Sequence, residues 1–173
     1  MNIATQEMET EVSHIINSAD SNQYLTFILG KEEYGIDILR VQEIKGWDAV
    51  TTIPNTPEYI KGVINLRGTI VPIIDLREKL LLGNKSYGPT TVVIVLKVES
   101  EKGNRIVGIV VDAVSDVYSI GLNELKPAPD FGGAIGTEYV RGLATVEEKM
   151  VILLNIDELL NVGVLNAINS EVG

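Results

Sequence analysis

The chain has no cysteine, one histidine and few aromatics. Without cysteine there are no disulfides, thiolate metal sites or cysteine nucleophiles. The single histidine, His14, lies in a polar N-terminal stretch, so neither a Ser-His-Asp arrangement nor a histidine-based metal site can be assembled in the folded part. Basic residues are also scarce, 14 against 24 acidic ones, for a formal charge of −10. A general nucleic-acid binder needs a basic face that displaces counterions, and docking on anionic lipid needs the same. No uninterrupted apolar run is long enough to span a bilayer. Residues 1–22 lack the basic start and apolar stretch of a signal peptide and read as a flexible acidic tail, to which no role is assigned. A soluble cytoplasmic protein is the simplest expectation.

What is present is Ile, Val and Leu within a 45% hydrophobic composition, which favours strands. The chain also contains itself twice. Tyr59-Ile-Lys-Gly-Val63 returns as Tyr139-Val-Arg-Gly-Leu143, 80 residues later. The same offset carries Val71-Pro-Ile-Ile-Asp75-Leu76 onto Val151-Ile-Leu-Leu-Asn155-Ile156. Gly35 to Ile44 matches Gly108 to Val117 at an offset of 73, and the second copy has the longer insert. Ordered matching blocks read as a duplicated unit, which bears on the whole fold. The copies differ at a strand-to-strand tip, where Asn65-Leu66-Arg67-Gly68 becomes Thr145-Val146-Glu147-Glu148. Arg67 on a polar tip is either a binding group or part of a turn that Asn and Gly favour.

The pattern predicts strands at Tyr24–Leu29, Tyr34–Ile38 and Glu43–Trp47, then a hairpin of Tyr59–Asn65 and Thr69–Ile74. Asp75 should cap a short helix over 76–82. The second copy predicts strands at 90–98, 105–111, 113–120, 138–145 and 149–154, with Asn155 capping a last helix to about 165. With no parallel crossovers expected, each copy supplies about five strands, and small antiparallel sheets curl to hide their edges. The expected architecture is all-β: two pseudo-symmetric five-stranded barrels packed together, the first over about 23–83 and the second over about 88–155, with short helices.

The residues supply little for catalysis. Asp112 and Asp116 are close in sequence and can be imagined as paired carboxylates, and a small hydrolase using them is the rival from another class. Asp130-Phe131-Gly132 lacks the glycine-rich loop and strand lysine of a kinase, and no phosphate-binding glycine motif is present. That leaves surfaces. Ile38, Val41, Ile44 and Val63 suit a core, and Trp47 suits a half-buried packing position. Phe131 sits in a Gly- and Pro-rich insert, where an aromatic side chain is a candidate partner contact.

Several segments resemble the CheW-like family of chemotaxis coupling proteins. They are Glu33-Tyr-Gly-Ile-Asp-Ile-Leu39 with Val41-Gln-Glu-Ile44, Asn55-Thr-Pro57, Ile60 to Gly68, Val71 to Arg77, Val107 to Val117, and Pro127-Ala-Pro129. The match runs over about residues 23–160. The resemblance implies two SH3-like barrels, no enzymatic activity and no cofactor. It implies coupling of transmembrane chemoreceptors to the histidine kinase CheA, with other CheW copies as further partners in array rings. A receptor-binding set of Val41, Glu43, Gly62, Asn65, Arg67 and Val117 follows from it, in a groove between barrels that takes the helical receptor tip. A kinase-binding set of Ile38, Lys126 and Phe131 follows as well; Lys126 stands where close relatives have Arg, which keeps the charge and loses the planar fork. An adaptor for twitching motility or second-messenger control is the alternative within the family.

Overall fold

A computed structural model describes residues 22–80, 82, 86–101, 103–128 and 137–160. The N-terminal tail with His14, Phe131 and the end of the C-terminal helix lie outside the described residues. Ten strands follow one another: β1 Gln23–Leu29, β2 Glu32–Asp37, β3 Val41–Gly46, β4 Ile60–Leu66, β5 Thr69–Asp75, β6 Val92–Ser100, β7 Gly103–Val111, β8 Ala113–Ser119, β9 Val140–Val146 and β10 Lys149–Leu154. Helical turns α1 (Leu76–Lys79) and α2 (Ile156–Leu160) follow β5 and β10. Asp75 caps α1 by accepting from the Arg77 N–H at 3.0 Å, and the Asn155 side chain accepts from the Glu158 N–H in α2 at 3.3 Å.

The strands form two curled five-stranded sheets, ordered β8-β1-β2-β10-β9 and β3-β6-β7-β5-β4. The repeat offsets carry β3, β7, β5 and β4 onto β8, β2, β10 and β9 in the same order, so the sheets are pseudo-symmetric. They do not divide the chain at residues 83–88, which corrects the assignment of one barrel to each copy. Each copy places its first two strands in one sheet and its last three in the other. The crossings are Ile38–Arg40, a single 3-10 turn, and Asp112. The single residue Asp112 is too short to let β8 fold back beside β7. Ile38–Arg40, although long enough for a hairpin, carries the chain on into the other sheet, so the strands are exchanged.

The exchange also brings β10 parallel to β2 and β5 parallel to β7, pairings that a purely antiparallel expectation lacked. Isolated bridges repeat the symmetry, Thr51 with Val63 and Lys126 with Leu143. Burial then explains the β-branched composition. In β6, Val92, Ile94, Leu96 and Val98 point into a large core shared by both sheets, while Val93 and Val95 point into a smaller core with Val71, Ile73 and Val110. Tyr24, Ile120, Ala144, Val151 and Leu153 fill the matching small core of the other sheet. Strands buried on both faces read as continuous apolar runs, and each such side chain contributes roughly 1.5–3 kcal/mol on burial.

Candidate functional site

Two-residue turns join β4 to β5 and β9 to β10. Arg67 and Gly68 have φ of 50° and 89°, and Glu147 and Glu148 have 51° and 69°. Positive φ at both central residues is the type I′ hairpin that matches strand twist. The tip is therefore one residue shorter than Leu66-Arg67-Gly68. The second turn adopts the same backbone without a glycine. Asn65 braces the first turn, its side-chain oxygen accepting from the Gly68 N–H at 2.8 Å.

Curling brings that tip to β3, the opposite edge of its sheet. The Arg67 guanidinium donates to the Glu43 carboxylate, although the two residues lie 24 apart in sequence. Arg67 keeps 76% of its side-chain surface in water and Glu43 keeps 26%. The carboxylate thus holds the guanidinium in place without using up its donor face. Ile70 pairs opposite Asn65 and is 59% exposed, giving the rim an apolar element that the sequence reading had placed only as strand. A cavity of about 230 Å³ opens beside it, lined among others by Lys45, Asp48, Thr51, Val63 and Asn65.

Of the six expected receptor contacts, Glu43, Asn65 and Arg67 gather on this rim. Gly62 does a different job. Its φ is +144°, and a Cβ there would meet the Thr51 carbonyl oxygen at 2.2 Å. It lets residues 51–52 seat against β4, below the rim. Val41 is 1% exposed in the shared core, so it shapes the surface from beneath. Val117 on β8 is half-buried against the same core from the other sheet. Val41 and Val117 thereby meet one core from two edge strands.

The expected kinase contacts are more dispersed. Ile38 is fully buried, so direct contact through its side chain is corrected to a packing role at the crossing. Lys126 is exposed, its backbone bridged to Leu143 by two bonds of 2.8 Å. Phe131 lies outside the described residues.

The aspartates of the rival reading have structural partners. Asp112 Oδ1 accepts from Arg77 Nη1 at 2.9 Å, and Oδ2 accepts from the Gly30 N–H at 2.7 Å. Asp116 Oδ1 accepts from the Val117 N–H at 2.8 Å. Arg77 is itself fully buried and doubly bonded to Asp75, at 2.9 and 2.8 Å. The hydrogen bonds to Asp75 are the main cause that raises its pKa above the ordinary arginine value. Tyr87 lies over the Arg77 guanidinium, donates to Asp75 Oδ2 at 3.1 Å and stacks on Trp47, the ring centroids 4.3 Å apart. Burial, then the Asp75 charge, pushes the Tyr87 hydroxyl up to about 12. This network was missed from sequence, where Asp75 stood as a helix cap, Asp112 as half of a carboxylate pair and Trp47 as a packing residue, with nothing joining them. Its signal is an arginine two residues after a cap aspartate that itself ends an apolar strand.

Comparison with known proteins adds to this geometry. The CheW-like domain family matches residues 23–163. The chain is 53% identical over 150 residues to the chemotaxis protein CheW of Klebsiella aerogenes, covering 87% of this chain and 88% of that one. It is 35% identical to the CheW of Rhizobium meliloti, with 88% and 94% covered. The solved structure of the scaffolding protein TtCheW from Thermoanaerobacter tengcongensis superposes with a TM-score of 0.74 at 34% identity, over 84% of this chain and 92% of that one. Among the described residues, no helix is long and apolar enough to cross a membrane.

Proposed function

The chain belongs to the CheW-like domain family, and from that premise we propose that it is a non-catalytic adaptor coupling the cytoplasmic tips of chemoreceptors to the histidine kinase CheA. The observation that carries the reading is the rim at Glu43, Asn65, Arg67 and Ile70. A braced turn presents a guanidinium that one carboxylate orients and water still reaches. Such a group can make a charge-assisted hydrogen bond to an incoming helix with little side-chain entropy left to lose. Ile70 beside it supplies apolar area, so a helical hairpin tip with an acidic group next to apolar positions fits this face. Receptor contact extends from here toward Val41 and Val117 across the seam of the two sheets. Gly62 and Val41 act by shaping the surface.

Kinase contact falls on the other side of the assignment, at Lys126 and Phe131 with Ile38 packed beneath the crossing. The protein works in the cytoplasm, beside membrane receptors that it reaches through these contacts. Other copies of the same chain join it in array rings. Capture of a purified receptor signalling fragment by the chain and by Arg67→Ala tests the receptor half of the proposal. Loss of a charge-assisted bond predicts about a tenfold weaker interaction for the variant. Unchanged capture removes Arg67 from the site. Phe131→Ala should leave receptor capture intact and weaken binding to the kinase's regulatory domain.

A further inference from the structure

The pseudo-symmetry relates the two crossings as well as the strands. At each crossing a charged side chain reaches the helical turn that follows the other copy's last strand. Arg40 donates to both oxygens of Asp157, at 2.9 and 2.7 Å. Asp112 accepts from Arg77 at 2.9 Å. Arg77 and Asp157 are equivalent positions, 80 residues apart, and Arg40 and Asp112 occupy the two crossings within one residue of register. The same two places therefore hold the same kind of ion pair with its polarity inverted. The first copy carries both arginines, and the second carries both aspartates.

We propose that this inversion is the key by which each copy accepts the other as its partner and refuses a second copy of itself. Backbone pairing cannot make that distinction, because both copies follow one strand plan. The first two strands of one chain could pair with the third to fifth strands of a second chain. In that arrangement Arg77 would face Arg40 of the second chain, twice over. Two second copies meeting in the same way would set Asp157 against Asp112, again twice. Asp75 stays beside Arg77 in either arrangement, so the discriminating charge is the one at the crossing. Glu99, which also pairs with Arg40 at 3.4 Å, belongs to the second copy, and its attraction is lost when first copies meet. Arg77 is fully buried, so salt screens the repulsion little. Like charges built against the wrong partner are a general route to specificity between near-identical surfaces.

The test uses the full chain carrying Arg40→Asp with Asp157→Arg. That pair stays opposite in charge within one molecule, yet each copy now carries one arginine and one aspartate and complements itself. Wild type and variant are unfolded in denaturant, refolded over a range of protein concentrations and separated by size with light scattering. The wild type should return as monomer. The variant should give a dimer fraction that grows with concentration, about tenfold above wild type, and that persists on dilution because exchanged strands must unfold to part. If the swapped chain does not regain a native near-ultraviolet spectrum, Arg40→Met with Asp157→Met replaces it, which removes the pair without leaving a lone charge. That variant should also raise the dimer fraction. A folded variant with the wild-type dimer fraction overturns the proposal, as does a wild type that forms persistent dimers equally well.

Discussion

Replacing Gly62 by alanine should damage the fold far more than the same change at its pseudo-equivalent, Gly142. At Gly62 the new Cβ lies 2.2 Å from the Thr51 carbonyl oxygen and 2.8 Å from its carbon, both backbone atoms. The segment must move, and the bridge between Thr51 and Val63, two hydrogen bonds of 2.9 Å, opens. Two net hydrogen bonds are worth about 2 kcal/mol. A φ of +144° adds roughly 1–3 kcal/mol for any side chain. The sum is about 3–5 kcal/mol. Gly142 lies outside the left-handed range, and its Cβ would meet Lys126 O at 3.1 Å, a clash that a shift of tenths of an ångström relieves. That cost is about 1 kcal/mol or less, and reduced freedom in the unfolded chain offsets part of it. Urea denaturation followed by fluorescence checks the difference. At a slope of about 2 kcal/mol per molar, the midpoints of the two variants should lie more than about 1 M apart. Equal midpoints would refute the reasoning, since identical chemistry is being placed at symmetric sites. Gly62→Ala should also weaken receptor capture, because the rim hangs from β4.

Asp112→Ala leaves the buried Arg77 without its crossing partner and should cost about 3 kcal/mol by denaturation, where a merely exposed carboxylate would cost almost nothing. Glu148→Gly removes a side chain from a φ of 69° and should stabilise the chain by about 1 kcal/mol, read as a higher urea midpoint. Tyr87 should titrate near 12 in the folded chain, against about 10 when unfolded, followed by phenolate absorbance. Because its folded pKa is raised, its contribution is complete below pH 10 and is lost as pH rises through 12. Tyr87→Phe should flatten that part of the stability profile, and an unchanged profile would place the hydroxyl away from Asp75.

Most strands were legible because the duplication repeats both the apolar runs and their breaks. Asp75 and Asn155 were legible as caps for the same reason, since each follows a matched strand. The exchange between copies was not. An offset relates equivalent positions but does not tell which copy supplies a strand's neighbour, and the path of the chain at Ile38–Arg40 and Asp112 settles that only in three dimensions. The parallel pairs of β2 with β10 and β5 with β7 follow from that exchange and stayed hidden with it. Glu147 and Glu148 carry no turn signal of their own, and their backbone is imposed by the flanking strands.

The rim was partly legible. The resemblance selected Glu43, Asn65 and Arg67, and curling of the sheet brings Glu43 and Arg67 together across 24 residues. Ile38 and Val41 were legible as core from their residue types, and both are buried; the resemblance alone had placed them on partner surfaces. Ile70 looked like any strand residue. Its exposure arises because it stands at the outer end of β5, beyond the reach of either core.

Coupling requires that one molecule hold receptor and kinase together. Sedimentation of the chain mixed with a receptor signalling fragment and the regulatory domain of CheA measures this directly. The account predicts a complex containing all three, with Arg67→Ala losing the receptor fragment and keeping the kinase domain. Displacement of one partner by the other, with only two-component complexes at any ratio, would contradict it.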